Sequence, residues 1–417
     1  MTRVLQSLAL IVLAAVSTWA MSAEIAGGGT PKDLRWRTAV IRLAVSTSIT
    51  SQNSSIKADA DILSALRRSI AAWEEVTGLE FRIESTDRQS VSPTGSTGDG
   101  VSLITVAATQ ENMQLFAGDP FGESARTRVF YNRRGAITEG DIVLNPLQQF
   151  STDGTYGTFD LETTISHEIG HLIGLKHSAV AGSIMAERIP RNADVYMGPR
   201  IPSETDIAAV RDLYGIENDS CCGAVSGKLS LPGKASSKGV TVWAEDNQGR
   251  VVGQAEATAD GTYRVGGLSD AKYQLFWLRR DQNGISTGEM GLVTIEDGAQ
   301  TTLSKRLTAD PGDLSIDYVG LNLQPGDAAV VLKPGRQYNI CLAGHGLSAG
   351  IGSVMFSSKL IRGDAASLVR QDFGDKIDAV SISVTLDPDT PPGVYTLYAE
   401  RRDGSRTAVV GAIVVTK

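Results

Sequence analysis

Cysteine and histidine are both scarce in this chain of 417 residues, which has 3 of the first and 4 of the second. Three cysteines exclude a disulfide-built scaffold, so each folded unit must rely on an apolar core. An excess of positive charge is also missing. With 39 Lys and Arg against 47 Asp and Glu the formal net charge is −8, which argues against a surface for nucleic acid or anionic lipid. Aromatic residues are few, at 6%, but 41% of the chain is hydrophobic, and this excludes wholesale disorder. Long apolar runs are absent beyond the N-terminus.

That N-terminal run reads as an export signal over residues 1–23. Arg3 supplies the positive start, Leu5 to Val16 is almost wholly apolar, and Ala20, Ser22 and Ala23 offer cleavage points. A membrane anchor is the alternative, but the run is short of the ~20 residues a spanning helix needs. The expected mature protein is soluble, lies outside the cytoplasm (extracellular or periplasmic), and has no integral membrane segment.

From residue 34 to about 218 strand and helix patterns alternate. Thr38–Ser46, Leu79–Glu84, Val101–Ala107, Thr127–Tyr131 and Asp141–Leu144 read as strands. Ile62, Leu66, Ile70 and Trp73 recur at helical spacing, predicting a helix over 57–76 that Gly78 stops. A second helix is expected from about Phe159 to Ile173. A third begins at Ser203, where Asp206 completes a capping box in place of Glu, and ends at Gly215. Beyond Cys221 and Cys222 only short strand patterns occur between turn residues. They suggest two small β-sandwiches, 223–310 and 311–417.

Three of the four histidines fall in the string HEIGHLIGLKH, from His167 to His177. His167 and His171 are four apart, so on a helix they point about 40° apart, to the same side. Gly174 lets the backbone leave the helix with positive φ, and His177 can then come round as a third nitrogen ligand. Three imidazoles leave a tetrahedral zinc ion one position for water, as catalytic sites do. Such a zinc lowers the pKa of water toward ~7, and Glu168, beside His167, is the candidate general base for attack on a peptide carbonyl. Histidines with no metal partner are the bland alternative, but only His345 lies elsewhere, and it reads as a surface loop residue.

The extended motif, with Ser178 and then Ser183-Ile184-Met185, resembles the metzincin zinc endopeptidases, and among them the matrixins. Trp73 to Phe81, Asp141 to Asn145, and Pro202 to Ile207 with Leu213-Tyr214-Gly215 are similar to further matrixin segments, so the resemblance covers roughly 34–218. It implies an α/β (α+β) fold with a mixed five-stranded sheet and three helices, followed by the two all-β units. It also implies His167, His171 and His177 as zinc ligands, Glu168 as the base, and Met185 as an apolar floor. An extended protein or peptide substrate would add to the edge of the sheet. Animal matrixins hold a second, structural zinc through additional histidines, but here the only spare one, His345, is far away, so a single zinc is expected. The resemblance adds calcium as a family cofactor, although no Asp-rich calcium loop is visible. No pro-segment cysteine precedes Leu34.

Tyr196 reads either as a liner of the substrate pocket or as a partly buried loop aromatic. Residues 225–280 resemble the carboxypeptidase regulatory, transthyretin-like fold, carried by Ala259-Asp260-Gly261-Thr262-Tyr263-Arg264-Val265. The C-terminal unit resembles an Ig-like sandwich. Both read as spacers or as binding modules for a polymer or a protein. Cys221 and Cys222 can bridge Cys341, pair with another chain or stay reduced; a bond between the two neighbours would be strained, and pairing of one with Cys341 is expected. The function expected overall is a secreted zinc metalloendopeptidase; the alternatives are an adhesin or polymer-binding protein with an inert zinc domain, and a zinc amidase of cell-wall peptides.

Overall fold

The structure is a computed structural model, and it describes residues 33–93, 95–192, 199–215, 221–232, 235–281, 284–307, 312–348, 350–374 and 377–417. The expected export signal, 1–23, and Tyr196 lie outside the described residues.

Five full strands build the first sheet. Strand β1 (Val40–Ser46) turns Ile41, Leu43 and Val45 inward and Arg42 outward, the period of two that its sequence shows. It pairs in parallel with β2 (Glu80–Thr86) on one side and β3 (Ser102–Thr105) on the other. Strand β5 (Ala136–Leu144) follows β3 in parallel, and β4 (Ala125–Tyr131) closes the edge antiparallel to β5. The order is β2-β1-β3-β5-β4. Arg35–Trp36 adds a sixth strand on β5. Two residues are too few to show alternation, which is why the sequence suggests five.

Helix α1 (Ile62–Thr77) starts five residues later than expected. Lys57 to Ala60 makes a separate turn, and the Lys57 amide donates to Phe150 O; the Asp61 side chain then caps the helix. Gly78, at φ +67°, ends it. Leu66, Ile70 and Trp73 face the core, and Trp73 Nε1 donates 2.7 Å to Ser166 O in α2 (Leu161–Leu172). Helix α3 (Glu204–Tyr214) has the expected capping box of Ser203 and Asp206, and Gly215 at φ +64°. Thr47–Thr50 and Gln110–Gln114 form two further one-turn helices. The apolar side chains of the sheet, α1 and α2 make one core, each fully buried Ile or Leu contributing roughly 2 kcal/mol.

Residues 221–307 form two sheets around a second core that includes Val225, Val242, Val265, Leu275 and Ile295. Residues 314–415 form two more around a third, with Ile340, Leu342, Ile382, Leu397 and Ile413. Strand Cys221–Ser230 was not legible: its glycines and serines break the alternation. His345 ends a strand, Gln337–His345, rather than lying in a loop; it is exposed, with Nε2 3.7 Å from Asp317 Oδ2.

The cysteine expectation is overturned. Cys221 and Cys222 are bonded to each other, and Cys341 is a free thiol. Cys341 sits mid-strand between Ile340 and Leu342 of the third core, paired with Gly320 and Ser381 on its two neighbouring strands, with no solvent exposure. Burial there raises its thiol pKa.

A fourth apolar cluster joins all three units and includes Val180, Trp243, Phe276, Val394, Tyr398 and Val410. Glu245 is buried against it, accepting from Trp243 Nε1 at 2.8 Å and Tyr398 OH at 2.9 Å. Burial pushes the Glu245 carboxyl up to about 7, in spite of these donors and the nearby Arg406 charge. A folded pKa above the ordinary 4.5 means that the folded chain holds a proton the unfolded chain has released. Stability from this group is therefore present below pH 4.5 and is lost as pH rises to about 7. Glu245→Gln keeps an acceptor and removes the charge. It should match the wild type near pH 4.5 and exceed it by up to about 3 kcal/mol at pH 8, read from urea unfolding of the full chain. An equal difference at both pH values would show that the charge carries no cost.

Candidate active site

Helix α2 carries the motif because its start is fixed firmly: the Asp160 carboxylate accepts from the Thr163 amide at 2.8 Å and from Arg200 at 2.6 Å. Every residue of α2 is buried. His167 and His171 stand one turn apart on it. His167 Nδ1 lies 2.8 Å from Ile184 O, and His171 Nδ1 lies 2.9 Å from Leu175 O. A carbonyl oxygen only accepts, so each Nδ1 carries the hydrogen and each Nε2 presents a lone pair. The two Nε2 atoms face one another at 3.1 Å.

Helix α2 gives way at Gly174, at φ +99°. A Cβ there would strike Leu34 O, so only glycine fits the exit. The chain then turns back, and the His177 ring comes to 5.3 Å from that of His167 and 4.8 Å from that of His171, between centroids. One ligating nitrogen from each of the three lies within 4.8 Å of the others. Among the described residues no other group of three His, Cys, Asp or Glu side chains gathers this way.

This donor set fits zinc. Two lone pairs at 3.1 Å with no proton between them repel unless a cation sits against both. A tetrahedral zinc ion with Zn–N of 2.0–2.1 Å has N···N edges of about 3.3 Å. Burial, with the neighbouring imidazoles second, lowers the pKa of His167 to about 3 and that of His171 well below its usual value. Burial lowers His177 as well. All three rings are neutral, as metal ligation requires.

Glu168 follows His167 and is also buried. Its Oε2 accepts from Thr127 Oγ1 at 2.5 Å, and the same hydroxyl lies 3.1 Å from the Glu168 carbonyl oxygen. Burial pushes this carboxyl up to about 7, with Glu123 adding and Thr127 and Arg126 opposing. A divalent charge at the histidine nitrogens acts against that rise. Thr127 belongs to β4, which among the described residues pairs with β5 alone. The carboxylate therefore lies against the edge strand of the sheet.

Met185 closes the loop that returns from His177. Ser178 N donates 2.7 Å to Met185 O at the base of this loop. The Met185 sulfur lies where any side chain on Gly170 would go, beside Trp73 and one residue before His171. It packs against the helix and has no polar task.

The description of the matrixin family matches residues 35–215. Residues 35–215 are a matrixin-like metzincin domain. Metalloendoproteinase 1 of Glycine max is 26% identical over 44% of this chain and 54% of its own length. The hatching enzyme of Paracentrotus lividus is 28% identical over 38% of this chain and 24% of its own. Stromelysin-1 of Rattus norvegicus is 29% identical over 38% of this chain and 29% of its own. The chain thus spans about half the length, or less, of the curated relatives it matches.

The matrixin-like domain positions its three histidines through groups the motif does not contain. The acceptors for the two Nδ1 hydrogens, Ile184 O and Leu175 O, are backbone atoms and have no residue signature. Asp206 has one, the capping box, but does more than cap α3. Its Oδ1 accepts from Ser183 Oγ at 2.5 Å and its Oδ2 from Ile184 N at 3.0 Å, so the carboxylate also fastens the Met185 turn. Thr127 gave no signal beyond its place in a strand pattern. Tyr196 lies outside the described residues, in the segment between Met185 and α3.

Proposed function

We propose that this protein is an exported zinc endopeptidase, with His167, His171 and His177 as its zinc ligands and Glu168 as its general base. The supporting observation is the pair of unprotonated Nε2 atoms at 3.1 Å, with a buried carboxylate on the adjoining residue. At such a centre zinc supplies Lewis acidity toward a carbonyl oxygen and acidifies water. Glu168 takes the proton from the attacking water on a carboxylate oxygen and passes it to the leaving amide nitrogen. Burial raises the carboxyl pKa and a divalent charge beside it lowers it, so the group is ionised to accept the proton and stays within reach of protonation when it passes it on. Thr127 holds the carboxylate in place meanwhile. The free edge of β4 gives an extended peptide main-chain donors and acceptors, so the bond to be cut can lie across Glu168.

Protein substrates fit this geometry, since backbone pairing along an edge strand needs chain on both sides of the scissile bond. The run at 1–23 supports export, and no described helix is long and apolar enough to cross a membrane. The domain division follows the sequence reading, with the matrixin-like domain over 34–218 and β units over 223–310 and 311–417.

Metal analysis paired with digestion of a peptide library tests the reading. One zinc per chain is expected, with cleavage that a chelator abolishes and added zinc restores. Stoichiometric zinc without cleavage would favour the adhesin with an inert metal domain. Cleavage confined to cell-wall peptides would favour the amidase.

A further inference from the structure

We propose that the C-terminal β unit is a working part of the metal centre: it braces the loop that completes the ligand set. This rests on the zinc reading above. The loop runs from His177 to Met185 and is pinned at its base by Ser178 N donating to Met185 O. Its outgoing end carries the third ligand. Its returning end carries Ile184 O, which orients His167, and Met185, which packs under α2. The loop is too short to have a core of its own, so something outside it must hold its tip.

That support comes from strands Gly393–Arg401 and Arg406–Val415, more than 200 positions along the chain. Val180, at the tip, has no solvent exposure and packs in the cluster that includes Val394, Tyr398 and Val410. The Ala181 amide donates 2.8 Å to Val410 O. The next residue is glycine for want of space: a Cβ on Gly182 would lie 2.7 Å from Val414 Cγ2 and 2.9 Å from Val394 Cγ1. The fit is matched on the other side, where a Cβ on Gly411, at φ +70°, would strike Val180 Cγ1. A buried plug, a backbone hydrogen bond and two opposed glycines amount to a fitted contact between folded elements. The middle unit adds Trp243, Val251 and Phe276 to the same cluster.

A brace of this kind has a reciprocal consequence. If the C-terminal strands favour the ligand-competent loop, metal at the histidines must favour the docked strands by the same factor. Hydrogen exchange on the wild-type full chain, with zinc and with a chelator, reads this without any substitution. Amides of Arg406–Val415 should exchange at least five-fold faster without zinc. Those of Gln337–His345, which lie on the other sheet of the unit, should stay unchanged. Equal rates in Arg406–Val415, or the same acceleration in both strands, overturn the brace.

A second arm uses Val180→Asp in the full chain, with zinc affinity measured by competition with a chromogenic chelator. Zinc binding at least ten-fold weaker is expected, with exchange in Gln337–His345 as in the wild type. A folded variant with wild-type affinity overturns the proposal. The zinc reading fails separately: a wild-type chain that takes up no zinc sinks both ideas, whereas stoichiometric zinc without coupling sinks the brace alone.

Discussion

Glu168→Ala should cut peptides roughly 10³-fold more slowly than the wild type, at the scale expected for removing a general base. It should still hold its zinc and its fold. The structure accounts for both halves. The groups that orient the two helix histidines are Ile184 O and Leu175 O, backbone atoms that the substitution leaves in place. Thr127 Oγ1 loses one acceptor but keeps the carbonyl oxygen of residue 168 at 3.1 Å, so no buried hydroxyl is orphaned. Burial disfavours the carboxylate and a divalent charge beside it favours it, so removing the group should leave thermal stability close to that of the wild type. Single-turnover cleavage of a reporter peptide, zinc stoichiometry and a melting curve check the three points together. Cleavage at the wild-type rate would remove Glu168 from the mechanism.

Much of this centre was legible because its chemistry is concentrated. Residues 167–177 hold the histidines and the glycine exit, and the structure brings all three rings together. The helices were legible by their caps: Gly78 and Gly215 end their helices as expected, both at positive φ, and the box of Ser203 and Asp206 forms. Boundaries without such punctuation drifted. Lys57 to Ala60 reads as the lead-in of the helix that the Ile62, Leu66, Ile70 and Trp73 stripe predicts, yet it makes a turn held by Phe150, a partner 93 positions away in sequence. The cysteines failed for a related reason. Nothing local shows that Cys341 lies buried in mid-strand, and pairing depends on where the fold puts a side chain, not on its count. The junction is the largest omission. Val180 and Gly182 carry no motif, and their constraint comes from residues more than 200 positions later. The sequence suggests a catalytic unit with two appendages, but the cores show three units sharing an apolar centre.

Asp206→Ala should destabilise the matrixin-like domain by about 4 kcal/mol, and should weaken zinc binding as well. The carboxylate is buried, and burial raises its pKa even with its donors in place. It accepts from Ser183 Oγ and Ile184 N on the Met185 turn, and from Ser203 N at 2.8 Å and Ser203 Oγ at 2.6 Å at the start of α3. Losing the capping contact costs about 1 kcal/mol. Each buried donor left on the turn costs a further ~1–3 kcal/mol, because no water replaces the lost acceptor. The effect on metal is indirect: Ile184 supplies both the amide that Asp206 holds and the carbonyl that orients His167. Asp206→Asn keeps the shape and one acceptor oxygen, so it should fall between the two in both measurements. Urea unfolding and chelator competition on the three proteins test this ordering. An alanine variant within about 1 kcal/mol of the wild type, with unaltered zinc affinity, would show that the turn holds itself and that Asp206 serves only the helix.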